Sequence, residues 1–191
     1  MTERVQHFTK AAPWIALAIA AAVLVADQLS KLWAEQELVE GERIPLLGDL
    51  FGLQLAYNPG AAFSMGSGST WVFTVLAAVG VAVAAWFAWR TRSRAWAVCV
   101  GLLLGGATTH LLDRLFREPG FARGHVVDFL AYANWFIGNV ADIALFAGAL
   151  LLLVLSAMGL RLRPTDERPA HDPGTDAGAS ASTAPERHDD A

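Results

Sequence analysis

Four long apolar runs decide what this chain can fold into, because each is close to the ~20 residues that a helix needs to cross a bilayer. They cover residues 11–26, extended past Asp27 to residue 33, then residues 71–89, 95–112 and 136–160. A soluble helical bundle would show polar faces at helical spacing within such runs, and these runs do not. Only 17% of the residues are charged, against roughly 25% in soluble domains. The sequence therefore predicts an all-α membrane protein with four transmembrane helices.

The predicted membrane body covers residues 13–160 and lies between an N-terminal tail, residues 1–12, and a C-terminal tail, residues 161–191. From residue 164 onward, seven acidic residues stand against two arginines, so the segment contributes about −5 to the net charge of −4. It is rich in Pro, Gly, Ala, Ser and Asp, and such a composition cannot bury enough apolar surface to fold. We predict that the second tail is disordered.

Basic residues predict the orientation of the helices, since short cytoplasmic flanks carry an excess of Lys and Arg. Seven of them lie in the N-terminal tail, in the short turn between spans two and three, and after span four: Arg4, Lys10, Arg90, Arg92, Arg94, Arg161 and Arg163. The two long connections, residues 27–69 and 113–141, hold five in 72 positions. Both termini are therefore predicted to be cytoplasmic, and the long connections to face outward.

The first long connection predicts a small extracytoplasmic sheet. Residues 43–64 are too polar and too broken by Gly and Pro to span a membrane, and the alternation in FGLQLAY indicates short strands. A turn is predicted at Asn58, Pro59 and Gly60. Before this segment, residues 32–40 predict a short interfacial helix with an acidic face.

Two aspartates, Asp128 and Asp142, lie fourteen residues apart on the predicted outer side, and Asp142 stands near the start of an apolar run. A carboxylate at a membrane boundary is costly, so its presence indicates function. Two carboxylates that lie close together cannot both ionise readily, so one keeps a proton. The ionised partner can take a proton from water while the neutral one hydrogen-bonds a scissile carbonyl. The pair predicts aspartyl peptidase chemistry, with either residue as the proton holder.

Other polar residues gather near the same boundary. Asp27 and Lys31 are four residues apart and share a helix face, so we predict an ion pair that anchors span one and orients its surroundings. Four more polar residues follow later in the chain: His110, Asp113, Arg114 and Asn139. A set of this size at one face of a small membrane protein favours a site.

Span three contains two features of its own. Gly105 and Gly106 predict close helix approach, as small residues permit in membranes. Cys99 is the single cysteine, which excludes an intramolecular disulfide and a thiolate metal site. No Gly-rich phosphate loop, zinc motif or histidine cluster is present. We therefore expect no metal, no cofactor and no nucleic-acid partner.

Five segments in order, DQLSK, NPGAAFS, GGATTHLLDR, GHVVDF and GNVADIA, resemble the lipoprotein signal peptidase (signal peptidase II) family. The resemblance covers about residues 13–160. It implies an intramembrane aspartyl endopeptidase of the bacterial inner membrane, inhibited by globomycin. The implied substrates are prolipoproteins that already carry a diacylglyceryl group, cut just before the lipidated cysteine. We expect a monomer that contacts membrane lipids.

The resemblance also implies roles for individual residues. It assigns Asp128 and Asp142 as the catalytic pair. Substrate-binding or site-supporting roles go to Asn58, Gly60, His110, Arg114 and Asn139, and structural polar roles to Asp27, Lys31 and Asp113.

Three features depart from the family pattern. The family usually has Asn at the position of His110, and Phe at the position of Gly138. The stretch between Arg114 and Asp128 is longer than expected, and we predict that it forms a loop that does not move the aspartates. We hypothesise that His110 keeps the local hydrogen-bonding role of the amide; the alternative is a histidine without a role at a wet helix end.

Two other functions stay open at this level. A small transporter or proton-coupled channel also uses membrane carboxylates, but it predicts acids at mid-span depth. Here each acid of the membrane body, residues 13–160, lies near an outer boundary. A non-catalytic assembly subunit would instead use Asp128 and Asp142 to hold an interface.

Overall fold

The structure is a computed structural model that describes residues 8–60 and 70–164. Some of the predictions fall elsewhere in the chain. Most of the N-terminal tail, residues 61–64 of the NPGAAFS segment and nearly all of the acidic tail lie outside the described residues.

The described residues contain four helices that are long and apolar enough to cross a membrane, which confirms the predicted fold class. They are α1 Ala12–Glu37, α2 Thr70–Arg90, α3 Arg94–Phe116 and α4 Val140–Ala157. Helix α3 is the most buried of the four and contacts each of the other three. All acidic residues of these helices lie in the half nearest the sheet, and none lies in α2.

A small antiparallel sheet covers the ends of these helices, as predicted. Its strands are β1 Ile44–Leu47, β2 Phe51–Asn58, β3 Val126–Tyr132 and β4 Phe136–Gly138, in the order β1-β2-β3-β4. Its inner face packs on the last turn of α1 through a buried apolar cluster: Ala34, Leu38, Leu55, Val127 and Phe129. The sheet is thereby fixed to the bundle at the level where the helices end.

Two helix boundaries differ from the sequence prediction. Residues 32–37 continue α1 instead of starting a separate interfacial helix, because no Gly or Pro interrupts the segment and Lys31 is held by partners on α3. Helix α4 begins at Val140 and not at Phe136, because Asn139 caps it and residues 136–138 pair with β3. The predicted loop between α3 and β3 is confirmed.

Glycines on α3 let its backbone approach two neighbouring helices. A Cβ at Gly105 would lie 2.9 Å from the Ala20 carbonyl oxygen on α1, and one at Gly106 would lie 2.6 Å from Leu145 Cγ and 3.0 Å from the Ala141 carbonyl oxygen on α4. The predicted close approach is therefore present, and Gly106 sets the distance between α3 and the first turn of α4.

We predict that Gly106→Ala lowers the unfolding temperature in detergent, because the added methyl group pushes α4 away. Such overpacking costs ~1–3 kcal/mol. The matched control is Gly80→Ala on α2, where a Cβ meets nothing within 4 Å. Helix propensity makes the control neutral or stabilising by up to ~1 kcal/mol. Equal unfolding temperatures for the two variants would contradict the close contact.

Candidate active site

A buried ion network joins α1 to α3 beneath the sheet. Lys31 Nζ lies 2.6 Å from Asp27 Oδ2 and donates to Asp113 Oδ2 at 2.6 Å, and all three side chains are at most 1% exposed. The other oxygen of Asp113 accepts from Gln28 Nε2 at 3.1 Å and Arg117 Nε at 2.8 Å. A buried charge is tolerated when it is paired and hydrogen-bonded, and each of these charges is.

Asp27 extends this network to α4. Its Oδ1 accepts a 2.9 Å hydrogen bond from the Ala141 backbone N–H, across 114 positions of sequence. The first N–H groups of a helix have no partner within the helix, and that end carries a partial positive charge. The Asp27 carboxylate accepts a hydrogen bond from one of these N–H groups and places a negative charge beside the positive end of the helix. The predicted Asp27–Lys31 ion pair therefore also fixes where α4 begins. Its contact with Lys31 is an ion pair and not an aligned hydrogen bond, since Asp27 Oδ2 lacks a hydrogen-bond partner among the described residues.

Asn139 connects the two candidate carboxylates. It is fully buried and caps α4: its Oδ1 accepts from the Asp142 backbone N–H at 3.1 Å, and its own backbone N–H donates to Asp142 Oδ2 at 2.9 Å. Its amide nitrogen Nδ2 donates to Asp128 Oδ1 at 2.6 Å. One capping residue therefore orients both aspartates, through a capping box on one side and an amide bond on the other.

Asp128 lies on β3 in a buried position, 4% exposed. Strand pairing places it opposite Ala56, so Asn58 lies diagonally across the pair of strands, and Asn58 Nδ2 donates to Asp128 Oδ2 at 3.1 Å. Burial, followed by the charge of Asp142, raises the pKa of Asp128 to about 6. The amides of Asn58 and Asn139 and the charge of His110 act in the opposite direction and do not offset the burial.

Asp142 stands in a different environment, in the first turn of α4 with a side chain that is 42% exposed. His110 Nε2 lies 3.1 Å from its Oδ1. The ring of a residue on α3 thus contacts a carboxylate on the neighbouring helix α4. Gly138 borders the same carboxylate, since a Cβ there would lie 2.8 Å from Asp142 Oδ2.

Arg114 holds the turn that carries Asn58. It is 4% exposed, and its Nη1 donates to the backbone oxygens of Pro59 at 2.9 Å and Gly124 at 3.2 Å. Its Nη2 donates to the Gly60 carbonyl oxygen. The Gly60 backbone N–H in turn donates to Asn58 Oδ1 at 3.0 Å, which leaves the Asn58 amide nitrogen pointing at Asp128.

The two carboxylates face one cavity of about 250 Å³. Its polar lining consists of residues that the sequence analysis selected: Asn58, His110, Arg114, Asp128 and Asp142, with Gly60 beside them. Its apolar lining comes from α2 and the strands: Phe73, Ala77, Val126, Phe136 and Ile137. Asp27, Lys31 and Asp113 do not line it. Within residues 8–60 and 70–164, no group of three His, Cys, Asp or Glu residues could hold a metal ion.

Sequence reasoning missed two parts of this arrangement. The apolar lining gave no signal, because Phe73 and Ala77 lie in a uniformly apolar helix and nothing marks one face of it. The strand VVDFLAY could have been found, since its β-branched and aromatic residues favour a strand, and it carries Asp128.

Comparisons of the amino-acid sequence with known proteins all find similarity to one family. The family model described as signal peptidase (SPase) II matches residues 19–158. Proteins named lipoprotein signal peptidase are similar to this chain: that of Leifsonia xyli subsp. xyli is 44% identical over 86% of this chain and 74% of its own length. The protein of Rhodococcus jostii is 48% identical over 74% of this chain and 72% of its own length. The protein of Mycobacterium avium is 44% identical over 84% of this chain and 88% of its own length.

Two solved structures share the fold. Both are bacterial membrane enzymes determined by the in meso method, one at 2.3 Å and one at 1.9 Å resolution. The first has a TM-score of 0.68 at 20% identity and covers 85% of this chain and 99% of its own. The second has a TM-score of 0.66 at 21% identity, and the match covers 80% of this chain and 97% of the other.

We predict that Lys31→Met destabilises the protein by ~3–5 kcal/mol, because it leaves the buried carboxylate of Asp27 without a cation and that of Asp113 with Arg117 alone. Thermal unfolding in detergent measures the effect. Arg123→Met is the matched control, since Arg123 is exposed near the same sheet. Adding Asp27→Asn and Asp113→Asn to Lys31→Met should restore part of the stability. An unfolding temperature of Lys31→Met equal to that of the control would contradict a buried ion network.

Proposed function

Because this chain belongs to the signal peptidase II family, we propose that it removes signal peptides from diacylglyceryl-modified prolipoproteins by aspartyl chemistry at Asp128 and Asp142. The proposed cut lies just before the lipidated cysteine. The observation that carries the proposal is the position of Asn139, which hydrogen-bonds both carboxylates at the edge of one cavity. Two carboxylates held in this way can divide the roles of acid and base.

We assign the proton to Asp128. A carboxyl group that is 4% exposed and close to a second negative charge favours its neutral form, in agreement with its raised pKa of about 6. The amides of Asn58 and Asn139 each donate to one of its oxygens, so they fix the plane of the carboxyl group. In that orientation its O–H can donate to the carbonyl oxygen of a peptide in the cavity.

We assign the base to Asp142. Its carboxylate is the more exposed of the two, so water can reach it, and it accepts hydrogen bonds that favour the ionised form. The His110 ring lies within hydrogen-bonding distance of Asp142, with Nε2 3.1 Å from Oδ1. An ionised carboxylate only accepts, so Nε2 carries the hydrogen in this state. His110 thus acts as a positioning residue for Asp142, which is a hydrogen-bonding role of the kind that the sequence analysis hypothesised.

Hydrolysis then follows in two steps. Asp142 takes a proton from water, the water oxygen bonds to the scissile carbonyl carbon, and Asp128 gives its proton to the carbonyl oxygen. In the second step Asp142 returns its proton to the leaving nitrogen, the C–N bond breaks, and Asp128 recovers a proton from the former carbonyl oxygen. The pair ends as it began, and no group other than water is consumed.

The remaining predicted residues support this pair. Arg114 and Gly60 hold the turn that aims Asn58 at Asp128. Asp27, Lys31 and Asp113 lie behind the site, where they fix the start of α4 and so the position of Asp142.

The level of the site in the membrane suits a lipid-anchored substrate. The cavity lies between helix ends and the sheet, so the acyl chains of a substrate can stay in the bilayer while the peptide enters between the apolar residues Phe73 and Ile137. We propose that this level faces outward from a bacterial inner membrane, with both termini cytoplasmic, as the distribution of basic residues indicates. We further propose that the protein acts as a monomer and that globomycin-type inhibitors occupy this cavity.

We predict that Asp128→Asn and Asp142→Asn each abolish cleavage of a lipidated prolipoprotein, because an amide supplies neither the acid nor the base. Purified protein and mass spectrometry of the products measure the effect and locate the cut. Asp49→Asn is the matched control, since Asp49 is exposed and lies outside the cavity. Near-normal turnover in either site variant, with the fold intact, would refute the dyad.

We predict that cleavage falls as the pH rises through about 6, because Asp128 then loses the proton that it must donate. The charge of His110 lowers the pKa of Asp128, so His110→Asn should move this limb of the pH–rate profile to higher pH. Asp142 and Arg114, the other charges of the cavity, are unchanged in this variant. His110→Leu should lower the rate at all pH values, since Asp142 loses a hydrogen bond.

The matched control for both variants is His125→Asn, which changes a histidine outside the cavity. Its profile should coincide with the wild type. Superimposable profiles for the wild type and His110→Asn, together with a fully active His110→Leu, would mean that His110 has no role.

A further inference from the structure

The membrane boundary opposite the aspartates carries a concentration of positive charge. Six cations lie there: Lys10, Arg90, Arg92, Arg94, Arg161 and Arg163. In residues 8–60 and 70–164, every Asp and Glu lies at the other end of the bundle or in the sheet and its loops. The like charges at this boundary repel one another, and together they attract anions.

Three of these cations line one cavity of about 460 Å³, together with Phe8, Thr9 and Pro164. They come from three separate segments: Lys10 precedes α1, Arg92 lies between α2 and α3, and Arg163 follows α4. Lys10 and Arg163 are exposed and make no side-chain hydrogen bond or ion pair with a described residue. Arg92 donates only through Nη1, to the carbonyl oxygens of Trp89 and Thr91. Its Nη2 and Nε donate no hydrogen bond to a described residue.

Main-chain hydrogen bonds hold the three segments together. The Thr9 N–H donates to the Arg92 carbonyl oxygen at 2.7 Å, and the Arg92 N–H donates to the Leu162 carbonyl oxygen at 3.0 Å. Phe8 forms a β-bridge with Ser93. The fold therefore holds the cations close together in spite of their mutual repulsion, as a preformed anion site requires.

An aromatic pair lies just inside the boundary from these cations. Trp14, four residues after Lys10, packs edge-on against Trp89 with ring centroids 5.6 Å apart, and the two are 65% and 55% exposed. Exposed Trp side chains are typical of the level where lipid headgroups meet acyl chains. A ligand at this place meets positive charge on one side and apolar rings on the other.

We propose that this cavity binds the phosphate headgroup of an anionic phospholipid, with Lys10, Arg92 and Arg163 on the phosphate and the acyl chains along Trp14 and Trp89. The charge supplies the preference for an anion, and the adjacent rings favour a lipid over a free anion. The site is separate from the aspartate cavity and does not depend on the proposed peptidase activity.

Native mass spectrometry of the full chain in a non-ionic detergent tests this binding. The chain is titrated with phosphatidylglycerol and with phosphatidylcholine of the same acyl composition, and again in the presence of excess inorganic phosphate. Lys10→Gln/Arg163→Gln removes two cations from the cavity. Arg90→Gln/Arg94→Gln removes two from the same boundary outside it, so net charge is matched.

We expect phosphatidylglycerol to bind more tightly than phosphatidylcholine, and inorganic phosphate not to displace it. Loss of the two cavity cations should weaken phosphatidylglycerol binding roughly 25-fold. The affinity of the control, Arg90→Gln/Arg94→Gln, should stay near that of the wild type. Equal weakening in both double variants would overturn the proposal in favour of diffuse surface charge. Displacement by inorganic phosphate would overturn it in favour of a free-anion site, and unchanged binding in the cavity variant would exclude the site.

Discussion

The ammonium group of Lys31 is the charge on which the rest of the arrangement depends. It is fully buried at the end of a membrane helix, where water cannot stabilise it, so the fold must supply anions around it. Asp27 from the same helix and Asp113 from α3 do so. The second oxygen of Asp27 then binds the first turn of α4. A requirement for charge neutrality in a low dielectric thus fixes three helices relative to one another, and the position of Asp142 follows from it.

The same first turn creates the difference between the two carboxylates. Asn139 directly follows β4 and caps α4, so a single residue lies within hydrogen-bonding distance of a strand aspartate and a helix aspartate. The strand buries Asp128 beneath the sheet, whereas the helix terminus leaves Asp142 partly exposed beside His110. Two side chains of identical chemistry thus stand in different environments because they lie on different elements, and burial raises the pKa of Asp128 to about 6. Acid and base roles can be divided in this way.

The spans could be predicted from sequence to within a few residues, because twenty consecutive apolar residues admit few other structures. Local signals also identified the strand around FGLQLAY and the close approach at Gly106. The absence of Gly and Pro from residues 32–37 is a local signal that α1 continues to Glu37. The long-range contacts have no such signal. Nothing near Lys31 in the sequence indicates that α3 holds it, and nothing near His110 indicates that its partner is Asp142, 32 positions away. The link between Asp27 and Ala141 has no sequence pattern at all.

The proposed assignment of the proton to Asp128 is tested most directly by following aspartate carboxyl groups through a pH titration, by NMR of protein carrying isotope-labelled aspartate. One carboxyl should titrate near pH 6, and its signal should disappear in Asp128→Asn. In Asp142→Asn the same signal should move to lower pH, because the charge of Asp142 that raises the pKa of Asp128 is gone. A signal near pH 6 that survives in Asp128→Asn and disappears in Asp142→Asn would reverse the assigned roles, and the absence of any carboxyl titrating there would contradict a dyad that keeps its proton on Asp128.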